Sequence, residues 1–379
     1  MAKGSPISEL TIMGFKSIRN LNKFKLKNLN VLIGSNGTGK SNFISYFRML
    51  NEMIPNISNE SCRLQSFISQ QGGADRILSY GVKETREIYS LIQFGVNDYL
   101  FKLEPTIDDK LVFKSEVVSY FSPFGGNPFY NFGSGHFESL LRDKAITVND
   151  RSKKVSTYCY DSISNWRVYH FHDTSDTAGV KRFCSVDDVS YLRSDAQNLA
   201  AFLYHMRQNY NDDYNNIVKI VRLALPFFDN FVLEPRNKLN SDDQQIRLLW
   251  KQKESDYPLW PSQLSDGSLR FICLATALMQ PIPLSTIVID EPELGLHPYA
   301  ISLLGGLLRS ASTRMQVIVS TQSVPLLNEF ELEDLVIVER KDGESVFKRL
   351  STEEYKQWLD DYTIGELWEK NILGGRPRS

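Results

Sequence analysis

The chain has 379 residues, enough for a large core or two lobes, and its 42% apolar and 23% charged fractions are ordinary for soluble globular proteins. A formal net charge of −2 excludes a global field that would drive binding to nucleic acid, leaving room only for a local basic strip. Four cysteines, at positions 62, 159, 184 and 273, show no paired CxxC spacing, which argues against a zinc site and fits reduced cytosolic thiols.

Met1 to Pro6 lacks the apolar stretch of a signal peptide, so a cytoplasmic chain is expected. Residues 1–50 read as strand, turn, strand, phosphate-binding loop and helix. The apolar run Leu29 to Ile33 leads into Gly34-Ser35-Asn36-Gly37-Thr38-Gly39-Lys40-Ser41, and Asn42 to Leu50 continues as a helix. This is a complete G-x-x-x-x-G-K-[ST] pattern in the strand–loop–helix context it requires. Its glycines let backbone N–H groups turn inward around phosphates, and the new helix points its positive end at the same anion. Lys40 can reach β- and γ-phosphates, and the Ser41 hydroxyl can ligate Mg²⁺.

Residues 51–75 are polar and irregular. From Glu87 to Val118 the pattern predicts an antiparallel meander, with strands at Ile88 to Phe94, Tyr99 to Leu103 and Leu111 to Lys114, and turns at Gly95 to Asp98 and Asp108 to Lys110. Residues 121–136 hold four glycines, two prolines and five aromatics, which reads as an irregular, mobile loop. The run Trp166 to Ser175 places His170 and His172 on one face of a strand, followed by Asp173. Two histidines without a third placed ligand favour structural roles over zinc. Residues 195–225 predict helices, Ala196 to Met206 and Ile217 to Ala224, without the sustained heptads of a coiled-coil arm. Phe227, Phe228 and Phe231 read as core. Ile246 to Trp250 and Tyr257 to Trp260 read as a hairpin leading into Leu264-Ser265-Asp266-Gly267-Ser268-Leu269-Arg270.

The most apolar stretch, 271–289, is broken by Pro281 and Pro283, so it reads as helix then strand rather than a membrane span. The strand at Leu284 to Ile289 ends in Asp290 and Glu291. Asp290 suits the Mg²⁺ shell, and Glu291 suits orienting and deprotonating an attacking water. Neighbouring carboxylates on an extended chain face opposite ways and so have separate tasks. Glu293 to Pro298 follows, and then Val317 to Ser323, a buried-type strand with a polar end.

The order and spacing of these segments resemble an ABC-type ATPase head of the RecF/SMC/OLD kind and, more narrowly, the small prokaryotic ATPases filed under AAA names. In that comparison Ser265-Asp266-Gly267 is similar to the signature loop, Glu293 to His297 to the D-loop, and Gln322 to the switch residue. The opening Leu10 to Ile18 resembles the first strand of such heads, and Gly365 to Pro377 the tail of the narrower group. Asp266 replaces a glycine of the signature loop. Gln322 can bond a phosphate or a water but cannot take up a proton. Gln70 and Gln71 are the best matches to a Q-loop glutamine.

The resemblance implies an α/β P-loop NTPase fold: a mixed sheet flanked by helices, an antiparallel β subdomain and a helical lobe. Along this single head the expected parts are a phosphate-loop lobe (1–95), a β-rich or irregular insertion (96–190), and a helical lobe with hairpin (191–260). The signature, Walker B, D-loop and switch segments (261–350) and a tail (351–379) complete it. The resemblance further implies ATP and Mg²⁺ as cofactors and hydrolysis with Lys40, Glu291 and Gln322 as catalytic residues. Phosphates would be bound by 34–41 together with Ser265 and Gly267, and the metal by Ser41 and Asp290. Two heads would sandwich two nucleotides as a homodimer, with a higher oligomer left open. The expected output is control of a neighbouring effector, a nuclease or toxin, in antiphage defence or DNA repair. The rivals are an autonomous DNA-binding repair ATPase and a nucleotide-bound scaffold with little turnover.

Overall fold

Two six-stranded sheets carry the fold, and the hydrophobic pattern of their strands tells them apart. The computed structural model describes residues 4–55, 63–121, 126–147, 150–238 and 242–375. The first sheet has fully buried strands at its centre and a largely polar edge strand, in the order Glu344–Arg349, Leu335–Lys341, Leu29–Ile33, Gln316–Thr321, Thr286–Asp290, Trp166–Tyr169. All neighbours are parallel except the edge strand Glu344–Arg349. Both faces must therefore be covered, which is why Leu29–Ile33 and Gln316–Thr321 are buried at every residue. Leu32, Val288, Ile318 and Val336 face one core; Val31, Ile33, Ile287, Ile289, Val317 and Val319 face the other.

The second sheet is antiparallel, in the order Ile18–Lys25, Glu9–Phe15, Ile88–Phe94, Asn97–Pro105, Leu111–Tyr120, Phe129–Asn131. Its strands alternate buried and half-buried residues, as a sheet with one covered face requires. The helix Lys40–Met53 lies between the sheets and buries Phe43, Tyr46, Phe47 and Leu50, with Phe47 against Trp166 of the parallel sheet and Tyr46 against Phe15 of the antiparallel one. Helices Leu199–Asn209, Asn211–Ala224, Asp266–Leu278 and Pro298–Ser312 cover the opposite face of the parallel sheet.

Parallel strands end on one edge. The register pairs Thr321 with Ile33, Asp290 with Ser320 and Ile289 with Tyr169. The segments beginning at residues 34, 170, 291 and 322 thus all leave from the same rim, where α/β sheets place their ligands.

Four expectations need correction, the first being that 51–75 is irregular, since Leu64–Gln70 is a helix. Residues 126–136 are not irregular throughout: Phe129–Asn131 pairs with the edge of Leu111–Tyr120, and on the irregular stretch that follows Phe132 N donates to Glu116 O and Gly135 N to Phe113 O. Glycine and proline content does not reveal an edge strand with free partners nearby; residues 122–125 lie outside the described ones. Phe227 is exposed, whereas Phe228 and Phe231 are core. The strand Trp166–Tyr169 stops before His170, so the two histidines follow a strand rather than lie on one. Among the described residues no helix is long and apolar enough to cross a membrane, and Cys159, Cys184 and Cys273 are free thiols.

The 126–147 region is anchored by a fully buried carboxylate. Glu116 accepts from Tyr99 Oη at 2.7 Å, Ser139 Oγ at 2.5 Å, Leu140 N at 2.9 Å and, at 2.9 Å, lies beside His136 Nε2. Glu116→Ala leaves those donors buried without an acceptor. It should lower unfolding stability by about 3 kcal/mol or more in urea titrations. A loss under about 1 kcal/mol would mean that the network does not anchor this region.

Candidate functional site

The phosphate-type loop is shaped by backbone that only glycine adopts easily and by partners outside itself. Gly37 and Gly39 have φ of 80° and 112°, and Gly39 is the residue before the helix Lys40–Met53. A Cβ on Gly39 would overlap Ser345 Oγ, and one on Gly34 would overlap Val338 O. Ser345 Oγ donates to Thr38 O at 2.6 Å, Arg340 Nη1 to Gly37 O at 3.1 Å, and Ser35 N to Gly375 O at 2.8 Å. Inside the loop, Thr38 Oγ1 donates to Ser35 O at 2.9 Å. Lys40 is buried, with Nζ donating to Gly34 O at 2.6 Å and Ser35 O at 3.1 Å. Ser41 is exposed at the helix start.

The carboxylates converge on the same rim. Asp290 accepts from Ser320 Oγ across the adjacent strand. Glu291 lies beyond the strand end with a left-handed φ of 43°, its N donating to Ser320 O at 3.0 Å. This corrects the alternation argument: a left-handed turn aims Glu291, not an extended pleat. Glu291 Oε1 accepts from Gln322 Nε2 at 2.7 Å, and the same amide donates to Asn36 Oδ1 at 2.7 Å. The structure thus joins Asn36 of the loop, Gln322 and Glu291 in one chain.

Burial pushes the Lys40 ammonium down, against the pull of Glu291, Asp290 and Glu293. Burial likewise lowers Arg48, which faces Asp290. It raises Glu293, although Thr321 Oγ1 at 2.5 Å and Gln322 N at 3.2 Å donate to its Oε1. Arg48, Arg340 and Ser345 are residues that sequence reasoning missed, and the contact of Glu293 with Thr321 and Gln322 was not foreseen. Spacing gives no signal for Arg340 and Ser345, because they reach the loop from a hairpin distant in the chain.

Ser265 and Gly267 stand apart from the loop: among the described residues no hydrogen bond joins them to 34–41. Ser265 Oγ caps the helix Asp266–Leu278 by accepting from Ser268 N at 3.2 Å, and both Ser265 and Asp266 are exposed. Asp266 sits in the first helical turn, where a negative charge is favoured by the dipole. A Cβ on Gly267 would overlap Gly295 O, so this glycine lets the helix start lie directly on the 293–297 loop. Arg270 fixes that contact, donating to Phe171 O at 2.8 Å and to Leu294 O. Gln71 accepts from Lys16 Nζ at 2.8 Å, and burial takes that lysine down to about 8. Neither Gln70 nor Gln71 has a described hydrogen bond to the loop.

The family model described as "AAA domain, putative AbiEii toxin, Type IV TA system" matches residues 29–328, a span that holds the loop, both carboxylates and Gln322. Among solved structures, the chain is similar to an SMC head bound to the C-terminal winged-helix domain of ScpA, with 16% identity over 93% of this chain and 99% of that one, and a TM-score of 0.54. It is also similar to the SMC head of Pyrococcus furiosus, carrying an extended coiled coil and bound to the C-terminal domain of ScpA. There the identity is 16% over 94% of this chain and 99% of that one, with a TM-score of 0.52. At this identity the likeness is one of fold. No curated protein sequence matches the chain.

Gly267→Ala tests the contact between the helix start and the 293–297 loop. The added methyl meets backbone, which cannot swing away, so a loss of about 1–3 kcal/mol is expected on chemical denaturation. Unchanged stability would show that the two segments do not touch.

Proposed function

Since the chain belongs to this AAA-domain family and has the fold of an SMC-type ATPase head, we propose that it binds and hydrolyses ATP with Mg²⁺ and works as a nucleotide-closed dimer. The observation that carries the reading is the hydrogen-bond chain from Asn36 through Gln322 to Glu291, which ties a phosphate-type loop to a carboxylate in reach of the same anion. The residues fit the nucleotide: a glycine cradle, a helix N-terminus and a buried Lys40 converge on one rim. They also fit Mg²⁺, since the Ser41 hydroxyl and the Asp290 carboxylate are hard oxygen donors. Bound there, the ion would neutralise phosphate charge and orient the β- and γ-oxygens.

In this reading Gly34 to Ser41 hold the phosphates, with Lys40 moving its ammonium from the Gly34 and Ser35 carbonyls to the β/γ-oxygens. Glu291 orients the attacking water and takes its proton. Gln322 holds Glu291 and senses the γ-phosphate without exchanging a proton. Ser265 and Gly267 serve the nucleotide of a second copy. Their exposure supports this, as does the neighbouring surface, where Leu294 and Tyr299 are 50% and 52% exposed. The two similar SMC heads are crystallised with ScpA domains. By extension, the output of this head passes to a partner, an effector of nuclease or toxin type.

Lys40→Ala should abolish ATP binding in equilibrium titrations, because no other described lysine reaches the loop. Retained wild-type affinity would remove the loop from the site. Glu291→Gln should keep ATP binding and lose turnover by about a hundredfold or more. Light scattering should then show an ATP-locked dimer, and near-wild-type turnover would move the base elsewhere. Ser265→Arg should bind ATP as a monomer without hydrolysing it. Full activity of that monomer would overturn the shared-site reading.

A further inference from the structure

The segment after the strand Trp166–Tyr169 has no task in the scheme above, yet it places two imidazoles beside a carboxylate of the site. The parallel register ends at Tyr169–Ile289, and the residues that follow these two, His170 and Asp290, meet at the rim. His172 returns to the same place, with its ring centroid 5.3 Å from that of His170. Ligand atoms of His170, His172 and Asp290 all lie within 4.8 Å of one another. Small side-chain rotations bring such a set to the spacing of donors around one ion, where zinc–nitrogen bonds measure about 2.1 Å.

A second observation points the same way. Both ring nitrogens of His170 are shielded from solvent and have no hydrogen-bond partner. A structural histidine usually bonds through at least one nitrogen, and leaving both unpaired costs free energy. The backbone here is firmly set: His170 N donates to Ser194 O at 3.0 Å, and Arg270 donates to the carbonyls of Phe171 at 2.8 Å and His172 at 3.4 Å. A polar cleft of about 490 Å³, lined among others by Arg48, Gln71 and His170, gives access from solvent. Asp173, which follows His172 in sequence, is not part of the set; its carboxylate accepts from Ser175 N and Oγ.

We propose that His170, His172 and Asp290 bind a divalent transition-metal ion in the nucleotide-free chain. The chemistry selects the class of ion. Neutral imidazoles suit zinc, cobalt, nickel and related ions, whereas Mg²⁺ takes oxygen ligands and holds its waters. Lys40 and Arg48 already face Asp290, so carboxylate charge alone would not retain the ion and the two imidazoles supply the affinity. Asp290 is also assigned to the Mg²⁺ of ATP, so an ion held here would bias the metal that serves the phosphates. That consequence rests on the nucleotide reading; the binding itself does not.

The test uses the full chain without nucleotide. Titration with Co²⁺ should give visible d–d bands that saturate at a single equivalent. His170→Ala and His172→Ala should each weaken binding roughly tenfold or more. Lys40→Ala, which removes the proposed ATP site, should bind Co²⁺ at least as well as wild type, so a failed nucleotide reading leaves this result intact. X-ray absorption of the Zn²⁺-loaded wild type needs no variant and should count two imidazoles in the first shell. An oxygen-only shell, or histidine variants that titrate like wild type, would overturn the proposal.

Discussion

A loop that offers most of its amides to an anion has few left to hold its own shape, so much of that shape has to come from its neighbours. Here those neighbours come from the far end of the chain. Val338 packs on Gly34, Arg340 bonds Gly37 O, Ser345 bonds Thr38 O, and Gly375 takes the Ser35 amide. Residues 34–41 are therefore seated by the edge of the sheet formed by Leu335–Lys341 and Glu344–Arg349. The close contacts at Gly34 and Gly39 explain why small residues are needed at those positions even apart from any phosphate.

The second constraint is charge. Asp290, Glu291 and Glu293 crowd one rim, and Lys40 and Arg48 face them. Each cation is lowered by burial and supported by the carboxylates, so the three acidic groups are only partly compensated by the two cations. Glu293 leaves Oε2 buried without a partner, and Glu291 sits in a left-handed turn that a glutamate does not choose on its own. Such costs persist where the surrounding structure fixes them, and they collect at sites of function. Gln322 relieves part of the cost by bonding Glu291 and Asn36 together, which also makes the geometry of the loop and that of the carboxylate interdependent.

What was legible in the sequence follows from how local each signal is. The strand–loop–helix at 29–50 and the apolar strands at 286–290 and 316–321 announce themselves, because period, glycine spacing and terminal residues all lie within a few positions. The antiparallel meander was readable for the same reason. The strand Phe129–Asn131 was not, since it exists only because Leu111–Tyr120 presents an open edge. Likewise the closeness of His170 to Asp290 depends on a parallel register between strands about 120 residues apart, which no periodicity encodes. The contact of Gly267 with Gly295 O was hidden too: a glycine in a loop looks the same whether it serves a ligand or a neighbouring backbone.

Arg270 shows how these parts are joined. Its side chain is buried, yet among the described residues no carboxylate bonds it; its donors go to the carbonyls of Phe171, His172 and Leu294. Main-chain oxygens thus solvate the guanidinium, whose planar fork holds three segments at fixed angles. One carries the histidines, one follows the carboxylates, and the helix of Arg270 itself begins at the exposed Ser265 and Asp266. Gly267 closes the assembly by removing any gap between helix start and loop. The exposed surface built from Ser265, Asp266 and Leu294 is therefore not a set of independent loops. It is the outer side of a body whose inner side is the rim at Asp290, and the Arg270 bonds and the Gly267 contact link the two sides directly.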